Sequence, residues 1–243
     1  MKGTHMALSP KDRIMFALDV PDIDGARKYA GLLKDHVGFF KIGLELFVAC
    51  GPEIVKTVRV VGGRGIFLDL KFHDIPETVK GAMRSAASLG ADFVTVHTSD
   101  GGSVLKAAVE AAGSTKVLGV TVLTSLSKEA FPEAGIDPLF TPESLVVHRA
   151  KAAKAAGCAG IVCSGLEAKA VREALGPGFL IITPGVRTAE DAVGDQKRVV
   201  TPFDAISNGA DYIVVGRPIR NAPDPVEAAK RIAGEIERAL AGC

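Results

Sequence analysis

Eight short apolar runs set the limits on what this chain can fold into. They begin near residues 14, 39, 65, 93, 117, 160, 179 and 212, and a stretch with helical spacing follows nearly every one. Strands buried on both faces read as near-continuous apolar segments, and strands that alternate with helices pair in parallel. Eight such units predict a closed (β/α)8 barrel, the TIM-barrel architecture, in a single domain. A doubly wound open sheet is the structural alternative, but no GxGxxG follows the first run.

The predicted strands span 14–18, 39–43, a third from about 65 to before Asp74, 93–97, 117–123, 160–163, 179–182 and 212–215. Helical spacing covers 26–33, 52–60, 79–89, 103–112, 141–156, 167–175 and 226–240, and another helix starts at 201. Gly90, Gly113 and Gly157 mark helix stops, and Thr141-Pro142 and Thr201-Pro202 mark starts, each with an N-cap hydroxyl and proline in the first turn. The two longest intervals follow the fifth and seventh strands. Both fall in loops on the C-terminal face of a barrel, where long insertions more often serve as lids than as filler.

With 243 residues, 47% of them hydrophobic, the chain can bury one large core. Its net charge of +1 leaves no footprint for nucleic acid or an acidic membrane surface. No apolar run nears the roughly 20 residues of a membrane span, and the N-terminus lacks a signal-peptide layout. Residues 1–5 read as a cloning remnant within an N-terminal extension over 1–10, with the barrel domain spanning 11–243. The four cysteines, Cys50, Cys158, Cys163 and Cys243, form no CxxC pair and have no histidine at ligand spacing. They read as free thiols in a reducing cytoplasm. His36, His73, His97 and His148 lie on different elements, so no metal site is expected.

The third run breaks the strand pattern. Asp69 and Lys71 sit within it two residues apart, and period-2 geometry puts both on one face. Desolvating two charges costs several kcal/mol each unless they are paired or used, so a structural ion pair and a catalytic pair are both open. Asp74 follows where the strand should end. Residues at the C-terminal ends of barrel strands converge on one site, and Asp19, Lys41, Asp69, Lys71, His97, Thr124, Arg187 and Arg217 all fall at or just past such ends. His97 reads by default as a hydrogen-bonded structural residue. Gly216-Arg217 after the eighth strand stands where barrels often hold a phosphate: the glycine admits backbone N–H groups and the arginine adds a forked donor. Arg187 and Gln196 in the seventh loop are companions for that anion, or else solvated loop residues.

Taken together, these residues closely resemble the bacterial type of the orotidine 5′-phosphate decarboxylase family. The core of the match is Asp69-Leu70-Lys71-Phe72-His73-Asp74-Ile75-Pro76-Glu77-Thr78, an intact DxKxxDIPxT signature. It is supported by Ala17-Leu18-Asp19, Phe40-Lys41-Ile42-Gly43, Val96-His97, Val122-Leu123-Thr124-Ser125, Thr183-Pro184-Gly185-Val186-Arg187 and Val215-Gly216-Arg217-Pro218, in order from about residue 13 to 235.

The resemblance implies decarboxylation of orotidine 5′-phosphate to uridine 5′-phosphate and CO2, the last step of de novo pyrimidine nucleotide synthesis. It also implies a homodimer with shared active sites and no metal or organic cofactor. By the same resemblance Lys71 is the proton donor in a charge array of Lys41, Asp69, Lys71 and Asp74. Asp19 and Lys41 would hold the ribose, Asp74 and Thr78 would reach into the partner's site, and Thr124 would lie near the pyrimidine. Arg187, Gln196, Gly216 and Arg217 would grip the phosphate. Two rivals stand beside this reading. One is a magnesium-dependent sugar-phosphate barrel of the 3-keto-gulonate-phosphate decarboxylase or hexulose-phosphate synthase kind, which shares the DxKxxD core. The other is a non-catalytic nucleotide-binding barrel.

Overall fold

The computed structural model describes residues 8–187 and 200–242. Residues 1–5, read as a cloning remnant, and Gln196 lie outside the described residues, as does most of the long segment after the seventh strand. Eight parallel strands close into a barrel in chain order: β1 (Ile14–Ala17), β2 (Phe39–Gly43), β3 (Gly65–Phe72), β4 (Phe93–His97), β5 (Lys116–Val120), β6 (Gly160–Val162), β7 (Leu180–Thr183) and β8 (Tyr212–Val215). Pairing of Ile14 with Ile213 and Phe16 with Val215 seals β1 against β8.

The helices are α1 (Ile23–Leu33), α2 (Leu44–Cys50), α3 (Glu53–Val61), α4 (Pro76–Ser88), α5 (Gly102–Ala111), α6 (Pro142–Ala155), α7 (Ala168–Leu175), α8 (Pro202–Ser207), α9 (Arg217–Arg220) and α10 (Pro225–Ala241). The capping signals act as the sequence implies. Thr141 Oγ1 accepts from Ser144 N–H and Thr201 Oγ1 from Asp204 N–H, while Gly90 and Gly157 hold φ of 79° and 90° after α4 and α6. Among the described residues no helix is long and apolar enough to cross a membrane.

Alternation along the strands sorts side chains into two cores. Met15, Ala17, Phe67, Phe93, Leu118, Ile182, Tyr212 and Val214 fill the barrel interior, and Phe16, Phe40, Leu68, Val94 and Ile181 join the layer between strands and helices. Phe39, Phe93 and Tyr212 meet edge to face at 5.1–5.7 Å and plug the N-terminal end of the interior. Each such contact adds about 0.5–1.5 kcal/mol beyond area burial. The open end of the barrel is therefore the C-terminal one.

Three features depart from the sequence reading. The fifth strand ends at Val120, not Leu123, because β6 is three residues long and its last pairing is Val162 with Val120. The helices α2 and α9 were not foreseen: α2 has seven residues with only Leu46 fully buried, and α9 has four, too short for a periodic signal. The segment after β5 is a packed excursion. Phe131 is fully buried in it, and the Lys128 ammonium donates to the Pro138 and Phe140 carbonyls.

Candidate active site

β3 delivers the central charges through a bulge. Its ladder with β4 pairs Leu68 with Val94 and then Phe72 with Val96, so Asp69, Leu70 and Lys71 together oppose the single residue Thr95. Lys71 has φ of 49°, the one positive value at a non-glycine among the described residues. Left-handed backbone at a long side chain costs roughly 1–2 kcal/mol and is a mark of sites where geometry is over-determined. Leu70 and Phe72 pack into the outer layer, while Asp69 and Lys71 line the cavity at the C-terminal mouth. The same-face expectation holds, with an irregular strand in place of a regular one.

The charges alternate along a chain. Asp19 Oδ1 lies 3.2 Å from Lys41 Nζ, Lys41 Nζ lies 3.8 Å from Asp69 Oδ2, and Asp69 Oδ2 accepts from Lys71 Nζ at 2.9 Å. Lys41 and Asp69 are the deep members, with side chains 11% and 14% exposed, whereas Asp19 at the rim is 47% exposed. Every buried charge thus has an opposite neighbour, which offsets much of its desolvation. The sequence pointed to Asp74 as the fourth charge. Within one chain that position is taken by Asp19; Asp74 is exposed, accepts from Ile75 N–H at 2.7 Å and lies outside the cavity lining, as does Thr78.

Two residues that sequence reasoning passed over or did not explain hold this array in shape. Thr95, fully buried on β4, accepts from the Lys71 backbone N–H at 2.9 Å and donates to Asp69 Oδ1 at 3.1 Å. A hydroxyl at an inward position of an apolar strand was its only signal. Gly43 ends β2 where a Cβ would lie 3.0 Å from Lys41 Nζ and 3.7 Å from Asp19 Oδ1, so the missing side chain leaves room for the ammonium.

The cavity, about 230 Å3, is polar on one side and apolar on the other. Asp19, Lys41, Asp69 and Lys71 face Val120, Val122, Leu123, Val162 and Pro184, and Thr124 lies on the apolar side. Arg187, Gly216 and Arg217 also line it. Arg187 is buried, placed by the parallel bridge of Val186 with Val200, and donates from Nη1 to the Val186 carbonyl at 3.0 Å. The end of α9 is tied to the loop after β1, where the Arg220 guanidinium donates to the Asp19 carbonyl.

His97 stays out of the lining. Its ring lies 5.2 Å from that of His73, and His73 Nε2 lies 2.9 Å from Asp100 Oδ1. Burial lowers the His97 pKa, with the nearby His73 and Lys71 adding to the effect. A neutral structural imidazole fits that setting. Among the described residues no group of three or more His, Cys, Asp or Glu side chains could hold a metal ion. Cys50, Cys158 and Cys163 form no disulfide, and burial pushes the Cys158 thiol up to about 12.

Comparison with known proteins agrees with this geometry. A family model described as "Orotidine 5'-phosphate decarboxylase / HUMPS family" matches residues 12–232. The chain is 52% identical over 243 residues to an orotidine 5'-phosphate decarboxylase of Desulfosudis oleivorans, covering 98% of both chains. It is also 52% identical over 230 residues to the enzyme of that name from Anaeromyxobacter sp. strain K, covering 94% of this chain and 100% of the other. The crystal structure of orotidine 5'-phosphate decarboxylase from Lactobacillus acidophilus superposes with a TM-score of 0.80 at 36% identity, covering 92% of this chain and 98% of that one. A barrel whose paired charges sit on a bulged third strand, matched over nearly its whole length, belongs to the orotidine 5'-phosphate decarboxylase / HUMPS family.

Proposed function

We propose that the chain converts orotidine 5′-phosphate to uridine 5′-phosphate and CO2. The observation that carries this reading is the alternating chain Asp19–Lys41–Asp69–Lys71, set at the mouth of a half-apolar cavity whose lining also holds two arginines. The apolar wall suits the flat pyrimidine and Thr124 its polar edge. Asp19 and Lys41 suit the ribose hydroxyls, and Arg187, Gly216 and Arg217 suit the phosphate, with Gln196 as a further donor.

In the reaction the bond between the ring carbon and the carboxylate breaks. Its electron pair stays on that carbon, CO2 departs, and a proton passes from Lys71 Nζ to the carbon; Lys71 then regains a proton from water. No carbonyl is placed to delocalise the carbanion, so stabilisation comes from fixed charge. The Lys71 ammonium, already held 2.9 Å from its Asp69 counter-ion, provides it as a preorganised charge. Asp69 would stand beside the substrate carboxylate. Two like charges about 4 Å apart repel by roughly 4 kcal/mol at an effective dielectric of 20, about three decades of rate if relieved as CO2 leaves. Phosphate binding at the remote arginines supplies energy to hold the substrate against that repulsion.

Shared active sites in a homodimer belong to the same proposal. Asp74 and Thr78 are exposed at the start of α4, and Ile75 between them is 67% exposed, an apolar side chain suited to a partner surface. A cytoplasmic setting fits cysteines that form no disulfide. The decisive assay mixes purified protein with orotidine 5′-phosphate and follows the loss of its absorbance, with and without a chelator. Turnover that resists chelation is expected. No turnover rejects the reading, and turnover lost to the chelator favours a magnesium-dependent sugar-phosphate chemistry.

A further inference from the structure

We propose that Thr95 is a positioning residue for this decarboxylation, fixing the Asp69 carboxylate and the Lys71 backbone through one hydroxyl; the inference rests on the function proposed above. Thr95 itself is fully buried and absent from the cavity lining, so it touches no substrate.

A threonine hydroxyl has one proton to give and lone pairs to accept with. Here the proton goes to Asp69 Oδ1 at 3.1 Å, and a lone pair takes the Lys71 N–H at 2.9 Å. Because three residues of β3 oppose Thr95, the regular ladder of backbone bonds is interrupted at this point. The Lys71 N–H is given a side-chain acceptor instead, at the one residue whose φ of 49° needs holding.

The second contact divides the work of Asp69 between its two oxygens. Oδ1 is taken by Thr95, so Oδ2 is the oxygen turned to the ammoniums, at 2.9 Å from Lys71 and 3.8 Å from Lys41. Rotation of the carboxylate would break the Thr95 bond and misdirect both lysines together. One hydroxyl therefore couples the direction of the carboxylate to the backbone that carries the proton donor. Misplacement of reacting groups by about 1 Å can cost on the order of 100-fold in rate, so a residue outside the cavity can control the chemical step.

The test compares Thr95→Val, which keeps shape and loses both bonds, with Thr95→Ser, which keeps the hydroxyl. With orotidine 5′-phosphate as substrate, kcat of Thr95→Val is expected to fall about 10- to 100-fold. Its KM and its affinity for uridine 5′-phosphate should stay within about threefold, and Thr95→Ser should recover most of kcat. Amide exchange at Lys71, followed by NMR on the unliganded protein, should speed up in Thr95→Val and stay slow in Thr95→Ser. Exchange reads the hydroxyl's hold on the bulge whether or not the wild type decarboxylates this substrate, so failure of the function and failure of this inference give different results. Thr95→Ala serves as a third variant if Thr95→Val does not fold. A kcat for the hydroxyl-less variant within twofold of wild type overturns the proposal. So do equal losses in Thr95→Ser and Thr95→Val, or a fall in kcat matched by an equal fall in nucleotide affinity, since either marks a packing role alone.

Discussion

The Lys71 ammonium reaches Asp69 Oδ2 at 2.9 Å from a backbone that is left-handed at Lys71 itself. The proposed proton donor is thus the one non-glycine residue of positive φ among the described residues, so strain and the proposed chemistry share an address. Lys71→Ala removes the ammonium and is expected to lower turnover by about 10^2- to 10^4-fold while uridine 5′-phosphate still binds. Turnover within tenfold of wild type would end the proton-donor assignment. Lys71→Gly should be equally inactive yet more stable than Lys71→Ala by about 1 kcal/mol, because glycine adopts this φ without cost. Equal urea midpoints for the two variants would show that the bulge stores no strain.

Arg217 lines the cavity at the start of α9, just after β8. If it holds phosphate, Arg217→Ala removes a charge-assisted donor worth about 1.5–3 kcal/mol, roughly 10- to 100-fold in affinity. Calorimetry should show this loss for uridine 5′-phosphate and almost none for uridine. Equal weakening of both ligands would instead make Arg217 a scaffold residue.

Gly43 offers a way to disturb Lys41 without removing it. An alanine Cβ would stand 3.0 Å from Lys41 Nζ, so the ammonium must shift, loosening its 3.2 Å contact with Asp19. The φ of Gly43 is −93°, which alanine accepts, and the unfolded chain loses entropy on substitution. Gly43→Ala is expected to cost about tenfold in kcat/KM with no loss of thermal stability. A drop in melting temperature together with activity would show that the glycine serves the fold instead.

The barrel was legible because its signal is redundant. Eight apolar runs, two Thr-Pro helix starts and the glycine stops each point the same way, and chain order then fixes strand order. Asp69 and Lys71 were legible because charge in a buried strand is costly. Thr95 was not, since threonine is at home in any strand and its two hydrogen bonds depend on a bulge that no spacing announces. The role of Asp19 was only half visible: its place at a strand end could be read, but its contact with Lys41 depends on the register of β1 against β2, which sets Ala17 beside Lys41. α2 escaped because seven residues with one fully buried side chain carry too little periodicity.

The proposed sharing of active sites between two subunits makes a prediction that separate sites would not. Lys71→Ala would destroy the site of its own barrel, whereas Asp74→Ala would destroy the site it lends to. Each pure variant should be nearly inactive. Mixing the two in equal amounts and allowing subunits to exchange should restore about a quarter of wild-type activity, because half the dimers are hybrid and each hybrid has one intact site. A mixture as inactive as its components would mean that Asp74 acts within its own subunit, or that the chains do not exchange; subunit exchange is followed separately with a mass-tagged chain.

His97 gives the stability of the fold a pH dependence whose sign follows from its surroundings. Burial is the main cause of its lowered pKa. His73 and Lys71 act in the same direction, as does Arg149 more weakly, against a smaller opposing pull from Asp100. The usual value in an unfolded chain is 6.5. Below that pH the unfolded state takes up a proton at this residue before the folded state does, so protonation favours unfolding. The contribution of neutral His97 is fully present above pH 6.5 and is lost progressively as pH falls toward its depressed folded value. Urea midpoints measured at a series of pH values should therefore decline from pH 6.5 downward in the wild type. His97→Gln, which takes up no proton, should decline less steeply over the same window. Parallel profiles would mean that His97 titrates alike in both states, contrary to its packing against His73.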